Sequence, residues 1–149
     1  MFHSLRLVVF NALMTRALNI NDDERHHPEL AVFRLAFQGR RFKLLITQGI
    51  IAEYQMASGE SFSVQLQPEL DNHLRQGRAI YREESRLSRP FIELGDVPNQ
   101  HRAFILDAIA ANAEYLITDR RRWLNLSDQL YQSYGLRIVT PERFVELEG

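Results

Sequence analysis

The strongest constraint on this fold is a rhythm. Short apolar runs, rich in branched side chains, return at intervals long enough to hold a helix. LRLVVF (Leu5 to Phe10), FKLLIT (Phe42 to Thr47), EYLIT (Glu114 to Thr118) and LRIV (Leu136 to Val139) carry it. Runs that are apolar at nearly every position suit strands buried on both faces. The intervals between them read mostly as helix. Pro28 suits a first turn, with Leu30, Phe33, Leu35 and Phe37 following and Gly39 as the stop. Ile50, Ile51, Tyr54 and Met56 fit a helix that carries Glu53. Pro68 to Leu87 reads as one long polar helix with Leu70, Leu74, Ile80, Tyr81 and Leu87 as its apolar members. Phe104, Ile105, Ala108 and Ile109 recur at helical spacing, and Trp123 to Tyr134 reads as a helix broken by Gly135. Thr140, Pro141 and Glu142 form a helix start: cap, first position, and an acid favoured by the dipole. Leu13 to Ala17 suggests a turn or two of helix, Asn19 to His27 a loop, and PFIELG (Pro90 to Gly95) a short extra strand. Strands separated by helices imply parallel pairing, hence an α/β fold, and 149 residues suit a single domain.

Composition excludes several classes. There are no cysteines, so disulfides, thiolate metal sites and cysteine nucleophiles are out. No apolar run approaches the roughly 20 residues of a membrane span, and the N-terminal run is short with Asn11 after it, unlike a signal peptide. The expectation is a cytoplasmic protein with no membrane partner. A net charge of -1 gives no global attraction to nucleic acid. Among the 18 basic residues, Lys43 is the single lysine, which base composition explains more simply than selection for phosphate binding.

Open parallel sheets place their sites beyond the carboxyl ends of the strands. That rule selects Asn11, Thr47, and Thr118 with Asp119, with Glu53 about two turns into the helix after the second strand. Arg120, Arg121 and Arg122 follow at once. Cations in a first helical turn oppose the dipole, which points to anionic neighbours: RNA phosphates, or the protein's own carboxylates. Each residue also has a plain structural reading. Asp119 is a favoured helix cap, Glu53 a solvated helix residue, Asn11 a strand-end residue satisfying backbone, His101 a first-turn histidine, Trp123 a core residue, and His26 with His27 loop residues.

Four stretches together resemble the PIN domain, a ribonuclease-like fold found in many bacterial toxin nucleases. LRLVVFNALMTRAL resembles the family's first strand, which normally ends in an aspartate; FKLLITQGIIAEYQ its second strand and the helix with its glutamate, matching Glu53; HRAFILDAIAANAEYLITD the helix and strand leading to its Thr-x-Asp; GLRIVTPERFVEL its closing strand and helix. The resemblance implies a three-layer α/β/α sandwich around a mostly parallel sheet, and a cluster of acids holding Mg²⁺ or Mn²⁺. Hard cations take oxygen ligands and phosphate together, and activate water. The chain departs from that pattern. Asn11 stands where the first aspartate is expected, Gln100 or His101 where the third acid is expected, with Asp96 and Asp107 out of register, and Asp119 follows Thr118 with no spacer.

The implied function is a metal-dependent endoribonuclease, with Glu53, Asp119 and Asn11 at its centre and His101 as an auxiliary ligand to a weakly held or absent Mg²⁺ or Mn²⁺. Arg120, Arg121 and Arg122 would contact RNA. Such proteins commonly pair with a small antitoxin, and a homodimer is an open outcome. The alternative is a catalytically inactive PIN-like module that binds RNA or protein, which the missing acids favour. A small domain binding a phosphorylated metabolite lacks support, because VFNAL has no glycine to cradle a phosphate.

Overall fold

In the computed structural model, residues 6–11, 28–35, 41–59, 64, 66–83, 94 and 97–149 are described. Five strands form one sheet in the order β3-β2-β1-β4-β5, and every pair is parallel. They are β1 (Leu7–Phe10), β2 (Lys43–Ile46), β3 (Ala79–Tyr81), β4 (Tyr115–Ile117) and β5 (Arg137–Val139). Seven helices are seen among the described residues: α1 (Pro28–Phe33), α2 (Gln48–Ser58), α3 (Gln67–Arg75), α4 (Asn99–Ala110), α5 (Arg121–Leu124), α6 (Ser127–Tyr134) and α7 (Pro141–Glu148). The architecture is the expected three-layer α/β/α sandwich.

Every residue of β1 and β4 is buried, whereas edge strand β3 grades from buried Ala79 to exposed Tyr81. That is why the central runs are apolar throughout. One core cluster extends from Leu7 to Phe144. Near the start of the strands, Phe144 of α7 packs against Phe42 and edge-on to Tyr115, with ring centroids 5.4 and 5.0 Å away. A second aromatic group joins Tyr54 of α2, Phe104 of α4 and Trp123 of α5. α1 packs on α7, and α2 packs on α4.

The chain steps outward from β1 to β2 to β3, then returns to lay β4 on the other side of β1. The winding therefore reverses between β1 and β4, and open parallel sheets place their sites beyond the carboxyl ends at such a reversal. Asn11 and Thr118 stand there.

Two expectations need correction. The long helix from Pro68 to Leu87 ends at Arg75. Gly77 has φ +72, a conformation that favours glycine, and Arg78 N bonds back to His73 O at 2.9 Å. Ile80 and Tyr81 consequently belong to β3, in register with Leu45 and Ile46. The helix from Trp123 to Tyr134 is two helices, because a turn through Asn125 and Leu126 separates α5 from α6. Met56 lies in α2 as expected and is 52% exposed. Thr140 does cap α7, accepting from Arg143 N at 3.2 Å, with Pro141 buried beside it. The readings of Leu13 to Ala17, Asn19 to His27, Phe37, Gly39 and Asp96 lie outside the described residues, as does PFIELG apart from buried Leu94. No helix among the described residues is long and apolar enough to cross a membrane.

Candidate functional site at the switch point

Asn11 leaves β1 with its backbone N–H on Ile117 O at 3.1 Å. Its side chain crosses to the neighbouring strand end, where Nδ2 donates to Thr118 Oγ1 at 2.8 Å. The same hydroxyl oxygen accepts from Arg120 N at 3.1 Å, which shapes the turn out of β4. Both side chains are buried, so Asn11 does more than satisfy backbone: it ties the two strand ends together. Its Oδ1 is buried with no hydrogen-bond partner among the described residues.

The second strand is fixed similarly. Thr47 caps α2 by accepting from Ile50 N at 3.1 Å, and donates to Asp107 Oδ2 of α4 at 2.8 Å. Gly49 permits this close approach, since a Cβ there would lie 2.6 Å from Asp107 Oδ2. Asp107, out of register for the acid cluster, is thus a buried anchor between two helices.

With α2 held against α4, Glu53 points into protein and is only 1% exposed. Its Oε2 lies 2.6 Å from His101 Nδ1, in the first turn of α4. Its Oε1 lies 3.4 Å from Arg120 Nη2 and has no hydrogen-bond partner among the described residues. Arg120 Nη1 reaches His101 Nε2 at 3.2 Å. A guanidinium only donates, so Nε2 is the acceptor, and the ring proton sits on Nδ1 and is donated to Glu53. This tautomer follows from the network.

Trp123 floors the site. It is 1% exposed, with the Arg120 Cζ 5.2 Å from its ring centroid and the His101 ring edge-on at 5.8 Å. The core reading of Trp123 holds. Tyr54, next to Glu53, donates to Phe10 O, and burial, reinforced by the Glu53 charge, pushes its phenol well above the usual range. Tyr54 therefore stays protonated near neutral pH and acts there as a hydrogen-bond donor.

The structure therefore unites Asn11, Thr118, Glu53, His101 and Arg120, from two strand ends and two helices. Asp119, Arg121 and Arg122 are exposed beside them. The reading of Glu53 as a solvated helix residue is overturned by its burial. Asp119 is not at the cap position, because α5 begins at Arg121 and its N-cap is Arg120, with no side-chain cap bond. No group of three or more His, Cys, Asp or Glu able to hold a metal is found among the described residues. In comparisons with protein-family models, curated proteins and solved structures, nothing matches this chain.

Sequence reasoning allowed the arginines a partner among the protein's own carboxylates but did not single out Arg120. One signal was present. With Thr118 ending the strand, Asp119 is the spacer and Arg120 the residue turned back toward the sheet edge.

Proposed function

We propose that the chain is a PIN-like module that holds RNA without metal-dependent hydrolysis. The observation that carries this is the state of Glu53: its carboxylate is engaged by an imidazole N–H on one oxygen and faced by a guanidinium on the other. The residues present do not suit a resident Mg²⁺ or Mn²⁺. Such ions need several oxygen donors and net negative charge, whereas here Asn11 is neutral, His101 is committed to Glu53, and Arg120 brings a positive charge to the same carboxylate. Exposed Arg121 and Arg122 stand beside it, as forks suited to phosphate. RNA as the partner fits a cytoplasmic protein, and a small protein antagonist would cover the same rim.

One observation favours the second reading, a Mg²⁺- or Mn²⁺-dependent endoribonuclease. Asn11 Oδ1 and Glu53 Oε1 are buried acceptors lacking a hydrogen bond among the described residues, and acceptors of that kind suit an ion.

The deciding experiment pairs Mn²⁺ calorimetry with unstructured RNA, assayed for both cleavage and filter retention. Retention without metal heat or cleavage, weakened by Arg121→Glu with Arg122→Glu, supports the binding module. Metal-dependent cleavage that disappears in Asp119→Asn supports the nuclease and overturns the first reading. If RNA is neither retained nor cut, both fall.

A further inference from the structure

We infer that Arg120 is the resident cation of this site: its guanidinium fills, from within the chain, a place that a diffusible cation would otherwise take. A carboxylate as buried as Glu53 is strongly disfavoured unless its charge is matched. Among the described residues, His101 and Arg120 approach it most closely. His101 supplies a strong hydrogen bond, but its tautomer makes it a neutral donor. The matching charge is that of Arg120.

Arg120 is also held in place. Its backbone N–H is bonded to Thr118 Oγ1, its guanidinium lies over the Trp123 ring, and Nη1 sits on His101. Yet its contact with Glu53 Oε1, at 3.4 Å, is one of charge and not a formed hydrogen bond. Such a contact demands little geometry, so another cation can replace it. The side chain is 36% exposed, so it enters from the surface, and its removal leaves a way in from solvent.

In the wild type, Arg120 and an added cation compete for one carboxylate, and the tethered group wins. Without the guanidinium, the buried Glu53 carboxylate is left open to an external cation. This deepens the functional reading of the same residues but needs no RNA. Cation uptake and RNA retention are measured separately, so either can fail alone.

The test compares thermal unfolding of wild type, Arg120→Ala, Arg120→Lys and Arg121→Ala in chelator, then with Mn²⁺ or methylguanidinium added at millimolar levels. Arg120→Ala lowers Tm by on the order of 10 °C, and Arg120→Lys recovers most of the loss. Each added cation raises the Tm of Arg120→Ala with concentration, as binding to the folded state requires. Wild type and Arg121→Ala do not respond, and adding Glu53→Gln to Arg120→Ala abolishes the response. If Arg120→Ala does not fold in chelator, recovery of folded signal on refolding with either cation is the equivalent result. The inference is overturned if Arg120→Ala keeps the wild-type Tm, if neither cation restores what was lost, or if Mn²⁺ stabilises wild type equally.

Discussion

The two ends of the sheet treat charge in opposite ways. At the amino ends of the strands, Arg6 grips Glu114 with both arms, at 2.9 and 2.7 Å, and also reaches Glu148 Oε2 at 2.9 Å. Tyr115 donates to the same Glu148 oxygen at 2.6 Å, and Arg41 pairs with the other at 3.1 Å. The Arg6 guanidinium lies 4.3 Å from the Phe42 ring centroid. Acids and bases there meet in near-ideal geometry, and the network joins the entries of β1, β2 and β4 to the last turn of α7. At the carboxyl ends, Glu53 is more deeply buried than any of these acids, yet one of its oxygens and the Asn11 amide oxygen lack a hydrogen bond among the described residues. The Arg6 network is closed, and the buried group left without a hydrogen bond near it, among the described residues, is a donor, Arg78 Nε before β3; at the carboxyl ends the groups left open are acceptors, and the proposed binding site rests on that difference.

That contrast can be broken most severely at the floor of the open end. Trp123→Ala removes the surface beneath Arg120 and His101, and its cost in urea unfolding should be about 3–5 kcal/mol. A change at the partly exposed Arg6 should cost much less, about 1 kcal/mol for Arg6→Ala, since exposed pairs contribute little. If Arg6→Ala costs as much as Trp123→Ala, the amino-end network is the main stabiliser and the contrast fails.

A double-mutant cycle sharpens the electrostatic half. Glu53→Gln keeps the shape and removes the charge that Arg120 balances. Combined with Arg120→Ala, it should return at least about 1 kcal/mol of the loss seen in Arg120→Ala alone. Simple additivity would mean that the two charges do not interact.

Acid titration probes the closed end. Burial alone would raise the Glu148 carboxyl, but hydrogen bonds from Tyr115 and Arg6 outweigh it and hold the group below its usual value. A depressed folded value means stability that is present above the unfolded value and lost as pH falls through the folded one. The urea midpoint of wild type should therefore drop in acid, and that of Glu148→Gln should drop less. Equal acid limbs would show that the network carries no linkage.

The smallest effect is at alkaline pH. Burial first, then the bond to Glu148, pushes the Tyr115 phenol up to about 12 from 10.0. The raised value gives stability that is intact below the unfolded value and lost as pH rises through the folded one. Tyr115→Phe should flatten this loss, read as a smaller fall in urea midpoint toward high pH.

Much of the frame was legible because its rules are local. Runs such as LVVF and YLI are apolar throughout, and only strands covered on both faces need that. Thr140, Pro141 and Glu142 announce a helix start within three positions. The short strand Ala79–Tyr81 was hidden because Gly77 lies in the polar stretch RQGR, where a break looks like more solvated helix. Asp107 was set aside by register counting, which cannot see that Thr47 reaches it across 60 positions.

The sequence by itself determined a parallel α/β sheet and the strand ends where a site would stand. Only the tertiary structure decided that Glu53 is buried, that Asn11 binds Thr118, and that Arg120 supplies the charge facing Glu53. Helical and strand periodicities constrain neighbours a few residues apart. Partners that meet across 48 or 107 positions are chosen by strand order and by which helix covers which face, and those follow from burying the whole core at once.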